Sequence, residues 1–276
     1  MKKFGPGLLV LCLFLFSCIR VDAQKLPNVQ QTSLRAPANI KIDGKAAEWD
    51  NQFQAYNKAT DVFYTIANDD SKLYLIVKAA DMNIVNKIVQ AGITFTINST
   101  GDRKDKNGVA ITFPAREAKS GLLIRFVNRP KPSKDTAMYC MQTDSFMRVS
   151  NKKLGDSLKL IRITGVKDIE DNYISVYNDI GIKATALFDD KINYTYELAV
   201  PLKYLGLTIN NKATFSYQIK LNGVAPPNAT FQTIPSGRFI VATVGNNQTV
   251  FIPNTGPYVG FAFPTDFWGE YTLAKK

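Results

Sequence analysis

From residue 62 onward, the apolar residues of this chain recur with a period of two. Val62-Phe63-Tyr64-Thr65-Ile66 and Lys72-Leu73-Tyr74-Leu75-Ile76-Val77-Lys78 flank the turn cluster Asn68-Asp69-Asp70-Ser71 and predict a hairpin. Ile93-Thr94-Phe95-Thr96-Ile97-Asn98 alternates apolar with polar residues. Further runs predict strands over 109–113, 122–127, 158–164, 173–177, 182–188, 192–200, 213–221, 238–244 and 248–252, with Gly245-Asn246-Asn247 as a tight turn between the last two. Side chains of a strand point alternately to opposite faces, so each run has one face to bury. Many short strands with turn signals every ~8–12 residues predict an all-β fold, a jelly-roll-like antiparallel β-sandwich with one or two short helices. A parallel architecture would need regular helices between strands, and that pattern is missing. The best helix candidate is Met82–Ala91, with Ile84, Val85, Ile88 and Val89 on one face and Gly92 as its stop. Residues 128–157 are the least patterned stretch and read as an insertion or long loop.

The N-terminus reads as a targeting segment. Lys2 and Lys3 precede an apolar run over 8–16, and Val21-Asp22-Ala23 offers small residues for signal peptidase. The expected organisation is a signal peptide over 1–23, cleaved after Ala23, and a linker or edge strand over 24–38. A single sandwich domain then covers 39–276. That makes the protein secreted or periplasmic. The alternative is a lipoprotein anchored through Cys18, although Phe16 is bulky where a lipobox usually has a small residue. No later segment approaches the ~18 apolar residues of a membrane helix, so no transmembrane segment is expected. With Cys12 and Cys18 in the leader, Cys140 is expected to be a lone, buried and inert thiol.

The chain has no histidine. That removes the commonest general base and metal ligand, and with them the nucleophile systems that depend on an imidazole. The formal net charge is +11, and much of the excess sits in 103–106, 129–134 and 152–153. These read as solvated loops, with an anionic glycan or membrane surface as the alternative partner. No nucleic-acid motif appears, and nucleic acid is not an expected partner.

Two segments about 150 residues apart carry the most specific pattern. Ile40-Lys41-Ile42-Asp43-Gly44-Lys45-Ala46-Ala47-Glu48-Trp49 reads as a strand, a turn and a buried Trp. Tyr194-Thr195-Tyr196-Glu197-Leu198-Ala199-Val200-Pro201-Leu202-Lys203-Tyr204-Leu205 reads as a long alternating strand that ends at a Pro and turns into a short helix. Tyr194, Tyr196, Leu198 and Val200 share one face, and Thr195, Glu197 and Ala199 the other, where Glu197 faces inward or a groove. With the turn at Asn68-Asp69-Asp70, the run Leu73-Tyr74-Leu75 and Asp81, these segments resemble the carbohydrate-binding module family 9 and DOMON-like β-sandwiches over roughly 36–276. The resemblance implies a secreted, non-catalytic glycan-binding module. Sugar-binding members clamp a terminal sugar between two Trp rings. The chain has only Trp49 and Trp268. Trp49 is expected in the core, so one wall would fall to a Tyr or Phe, or the clamp is absent. Haem-binding relatives use Met and His, so without His that activity is not implied.

The expected ligand site is the aromatic-rich C-terminal stretch, with Trp268, Tyr258, Asp266 and Glu270 in a loop-rich, Gly- and Pro-containing setting. Aromatic rings pack on the C–H faces of sugars while nearby polar groups bond the hydroxyls. The structural alternative is that these aromatics plug the end of the sandwich. Asp69, Asp70 and Asp81 are candidate calcium ligands, although calcium takes about 6–8 oxygens; turn-forming acids are the alternative. Two rival functions remain: a cell-surface structural or protein-interaction domain, and a glycoside hydrolase using two carboxylates.

Overall fold

In a computed structural model, the described residues are 25–103, 105, 107–116, 126, 128–210, 214–224, 230–244, 248–254 and 260–276. The predicted leader with Cys18, the predicted strand over 122–127 apart from Phe126, the predicted turn at 245–247 and Tyr258 lie outside them.

Two antiparallel sheets form the body. In the first, β1 (Ala55–Asn57), β2 (Val62–Asn68), β3 (Lys72–Ala79), β9 (Tyr194–Pro201) and β8 (Lys183–Phe188) lie side by side in that order. The second runs β14 (Thr265–Thr272), β10 (Thr214–Leu221), β4 (Ile93–Asn98), β5 (Val109–Ala115), β6 (Leu160–Thr164) and β7 (Tyr173–Ser175). The inward-facing residues of both sheets meet in one core, as the period of two requires. Tyr64 lies 5.0 Å from Phe267 and Phe113 lies 5.7 Å from Tyr196, centroid to centroid. The hydroxyls of Tyr64 and Tyr217 bond each other at 3.0 Å across the two sheets. The all-β antiparallel sandwich expected from the alternation is the fold observed.

Helix α1 (Met82–Ala91) closes one end of the core with Val85, Ile88 and Val89, all fully buried. The second helix differs from expectation. The stretch read as an insertion or long loop contains α2 (Thr136–Ser157), a helix of 22 residues and not a short one. It starts where Asp135 accepts a hydrogen bond from the Met138 N–H. It touches the body through few residues: Leu154 is buried, the Phe146 ring lies 5.5 Å from Phe188, and Asn151 exchanges two hydrogen bonds with the Phe188 backbone. A helix held along so narrow a seam needs no broad apolar stripe, and so left little periodicity to read. Cys140 stands on its solvent side and is exposed, which corrects the expectation of a buried thiol.

Residues 30–36 lie along the first sheet. Gln30 acts as an extra strand residue: its side-chain amide accepts from the Ile66 N–H and donates to the Ile66 carbonyl, both at 2.8 Å. Arg35 forms an isolated parallel bridge with Asn68. A small third sheet, β11 (Thr230–Thr233), β12 (Phe239–Val244) and β13 (Gln248–Pro253), is inserted between β10 and β14. No helix among the described residues is long and apolar enough to cross a membrane.

Candidate functional site

Each sheet has an outward face, and the two are treated differently by the chain. The outward face of the first sheet is covered by residues 25–53. Trp49, Phe53 and Ala46 pack there on Tyr74, Ile76, Ala67 and Ala199, with Leu26, Leu34, Ile40 and Ile42 around them. Glu197 points into this cover and is fully buried. One carboxylate oxygen accepts from the N–H groups of Asp43 at 2.9 Å and Gly44 at 2.8 Å. The other accepts from the Trp49 indole N–H at 2.9 Å. The two segments singled out in the sequence therefore bind each other through a single carboxylate. Gly44 has φ +83°, and a Cβ there would lie 2.8 Å from Leu187 Cγ, so both backbone sign and space call for glycine. Burial pushes the Glu197 carboxyl up to about 7 against the pull of its three donors. No substrate can reach it, so Glu197 is a structural latch and Trp49 a core residue.

The outward face of the second sheet is covered at one end by the β4–β5 loop, which buries Ser216 and Asn98, and is partly exposed over the rows beyond. Residues 265–272, expected in a loop-rich setting, form edge strand β14, paired with β10 over eight residues. Phe267 and Tyr271 turn into the core, while Asp266 and Glu270 are exposed and Trp268 is half-buried on the outward side. The structure thus brings three of the expected site residues onto one face. The register continues this face across the sheet. Trp268 stands opposite Gln218, then Thr96, Ala110 and Thr164. The next row is Asp266, Lys220, Thr94, Thr112, Arg162 and Tyr173. At ~4.8 Å between strands, six strands give a platform about 24 Å wide.

Local bonds fix much of this surface. The Gln218 amide donates to Asp266 at 2.6 Å. The hydroxyls of Thr94 and Thr112 bond each other at 2.8 Å, and Asn222 donates to Thr94 at 2.9 Å. At this end a cleft of about 470 Å³ opens, walled by Thr94, Thr112, Arg116, Arg162, Tyr173 and Lys220 among others. The Arg116 guanidinium is anchored by donating to the Val89 carbonyl at 3.3 Å, and burial pulls its pKa down. Glu270 pairs with Arg103 at 3.4 Å at the opposite end of β14. The sequence reading missed Gln218, Tyr173, Arg162 and Lys220. Their signal was present, since each is the outward member of an alternating strand.

The three candidate calcium ligands do not converge. Asp69 is half-buried in the β2–β3 turn, where its oxygens accept from Ser71, Lys72 and the Tyr74 hydroxyl. Burial pushes its carboxyl up, but those bonds outweigh it and hold it below the usual range. Asp70, beside it, pairs with Arg35 at 2.8 Å and Lys276 at 3.1 Å. Asp81 lies beyond the other end of β3 and caps α1 by accepting from the Asn83 and Ile84 N–H groups. The eight residues of β3 put roughly 25 Å between the two ends. Among the described residues, no group of three or more Cys, Asp or Glu gathers as a metal site would require.

Compared with known proteins, the chain matches no family model, no curated protein and no solved structure.

Proposed function

We propose that the protein is a secreted, non-catalytic glycan-binding module of the family 9 or DOMON-like kind, and that it binds on the outward face of the six-stranded sheet. The observation that carries this reading is Trp268. It stands partly exposed on β14, opposite the Gln218 amide and in one row with Thr96 and Thr164, beside the end of the face that the β4–β5 loop covers. An indole offers an apolar plane for sugar C–H groups, and Gln218, Thr96 and Tyr173 offer the polar contacts that orient hydroxyls. The carboxylates support binding over hydrolysis. Asp266 and Glu270 are four residues apart on one strand, about 13 Å at the backbone, wider than the ~5–9.5 Å between paired glycosidase carboxyls.

The test is a glycan-array screen of residues 24–276, with and without calcium, followed by Trp268→Ala. Saturable binding that the variant loses supports the reading, and failure to bind any glycan sinks it. One observation favours a protein partner as the second reading. Phe239 and Phe251 on the inserted sheet are 38% and 62% exposed and stack edge-to-face at 6.4 Å. Exposed paired aromatics of this kind are common at protein interfaces.

A further inference from the structure

We propose that this face selects an anionic glycan, one whose sugars carry carboxylate or sulfate groups; the inference rests on the glycan-binding reading above and names the class of ligand. The cleft on the same face of the sheet as Trp268 is positively charged. Among the described residues, its walls carry Arg116, Arg162 and Lys220 and include no carboxylate. Among the described residues, neither Arg162 nor Lys220 belongs to an ion pair. The nearest acid on the platform is Asp266, directly opposite Lys220, and one of its oxygens is occupied by Gln218.

Position adds to charge. Arg162 and Lys220 are outward residues of β6 and β10, three strand spacings apart, or roughly 14 Å. Thr94 and Thr112 lie between them in the same row. A chain of sugars lying along this row would therefore meet a cation, hydroxyls, and a second cation, with the Tyr173 ring at the far wall. The guanidinium fork binds a carboxylate or sulfate through two parallel N–H bonds, which an uncharged hydroxyl cannot match. A neutral glycan would leave Arg162 without an ion-pair partner among the described residues and Lys220 with only Asp266 opposite it. An acidic one neutralises them on a rigid sheet whose geometry is already set.

The experiment compares polygalacturonate with its fully methyl-esterified form, and carrageenan with its chemically desulfated form, by affinity electrophoresis and calorimetry at two salt concentrations. Each pair shares a backbone and differs in charge, and the two pairs separate carboxylate from sulfate as the source. The expected result is binding to at least one charged member about tenfold or more tighter than to its neutral partner. Arg162→Glu and Lys220→Glu should each weaken that binding about tenfold. Lys58→Glu makes the same charge change at the β1–β2 turn and should shift it less than about twofold. Inorganic sulfate at equal charge concentration should fail to displace the glycan; displacement by the free ion would overturn the glycan as the ligand. Equal binding to charged and neutral members would overturn the anion preference and leave glycan binding intact. Equal losses in Lys58→Glu and Arg162→Glu would reduce the effect to bulk charge and overturn the site. Binding to none of the four alongside binding to a neutral glycan on the array would overturn the anionic class alone, and binding to no glycan at all would overturn both readings.

Discussion

The two tryptophans of this molecule sit beside carboxylates on the outward faces of two sheets, and they have opposite fates. Trp49 is 6% exposed, its indole N–H spent on Glu197 beneath a cover of residues 25–53. Trp268 is partly exposed on β14, beside the β4–β5 loop and not beneath a cover like that of residues 25–53. The sheets are built alike, so the difference comes from what the chain does with each outward face. Apolar outward residues on the first, such as Tyr74, Ile76 and Ala199, demand a cover. Threonines, Gln218 and cations on the second do not. A residue type thus says little about function until its face is known.

The strongest way to break this contrast is Trp49→Ala. Loss of the buried indole leaves a cavity and orphans one of the bonds to Glu197, and should cost about 3–5 kcal/mol. Urea unfolding would show it as a lowered midpoint, and a loss under 1 kcal/mol would mean the cover is not part of the core. The latch should also make stability depend on pH. The folded Glu197 carboxyl titrates near 7 while the unfolded one titrates near 4.5, so the folded state holds its proton more tightly. This group therefore favours folding most below pH 4.5 and loses that advantage as pH rises to about 7, by about 3 kcal/mol. The urea midpoint of Glu197→Gln measured from pH 4 to 8 should lack that decline; an identical slope in both proteins would remove Glu197 as its source.

Trp268→Ala sharpens the comparison from the other side. It should lower stability by less than about 1.5 kcal/mol, since the ring is only partly buried, yet weaken glycan binding about tenfold or more. Thermal melts paired with calorimetry separate the two effects, and a large melt shift with unchanged affinity would make Trp268 a packing residue like Trp49. The smallest effect is expected inside the sandwich. The hydroxyls of Tyr194 and Tyr196 are buried in the core and have no hydrogen-bond partner among the described residues. Tyr196→Phe should leave stability unchanged or raise it by about 1 kcal/mol. A loss of that size in the melting curve would mean the hydroxyl is satisfied.

What the sequence made legible follows from range. The β2–β3 hairpin, α1 and β9 are specified by neighbours within ten residues, and their patterns survive folding unchanged. Strand β14 was hidden by one residue. Gly269 occupies an inward position where a side chain would continue the alternation, because a Cβ there would lie 2.3 Å from the Tyr217 ring. Its glycine made a strand look like a loop. Helix α2 was hidden because so little of it is buried. As for the site, Trp268, Asp266 and Glu270 could be named from composition. Their platform could not, since Arg162, Thr112 and Lys220 become neighbours only through strand order.

The grip of Glu197 on Asp43 and Gly44 joins positions 154 and 153 residues apart. Closing so long a loop is entropically slow, and β9 must first be seated beside β3 to hold the carboxylate in place. The consequence is temporal. The site for the latch exists only once β9 is paired with β3, so residues 25–53 are expected to gain protection from proteolysis during refolding no earlier than that pair gains protection from amide exchange.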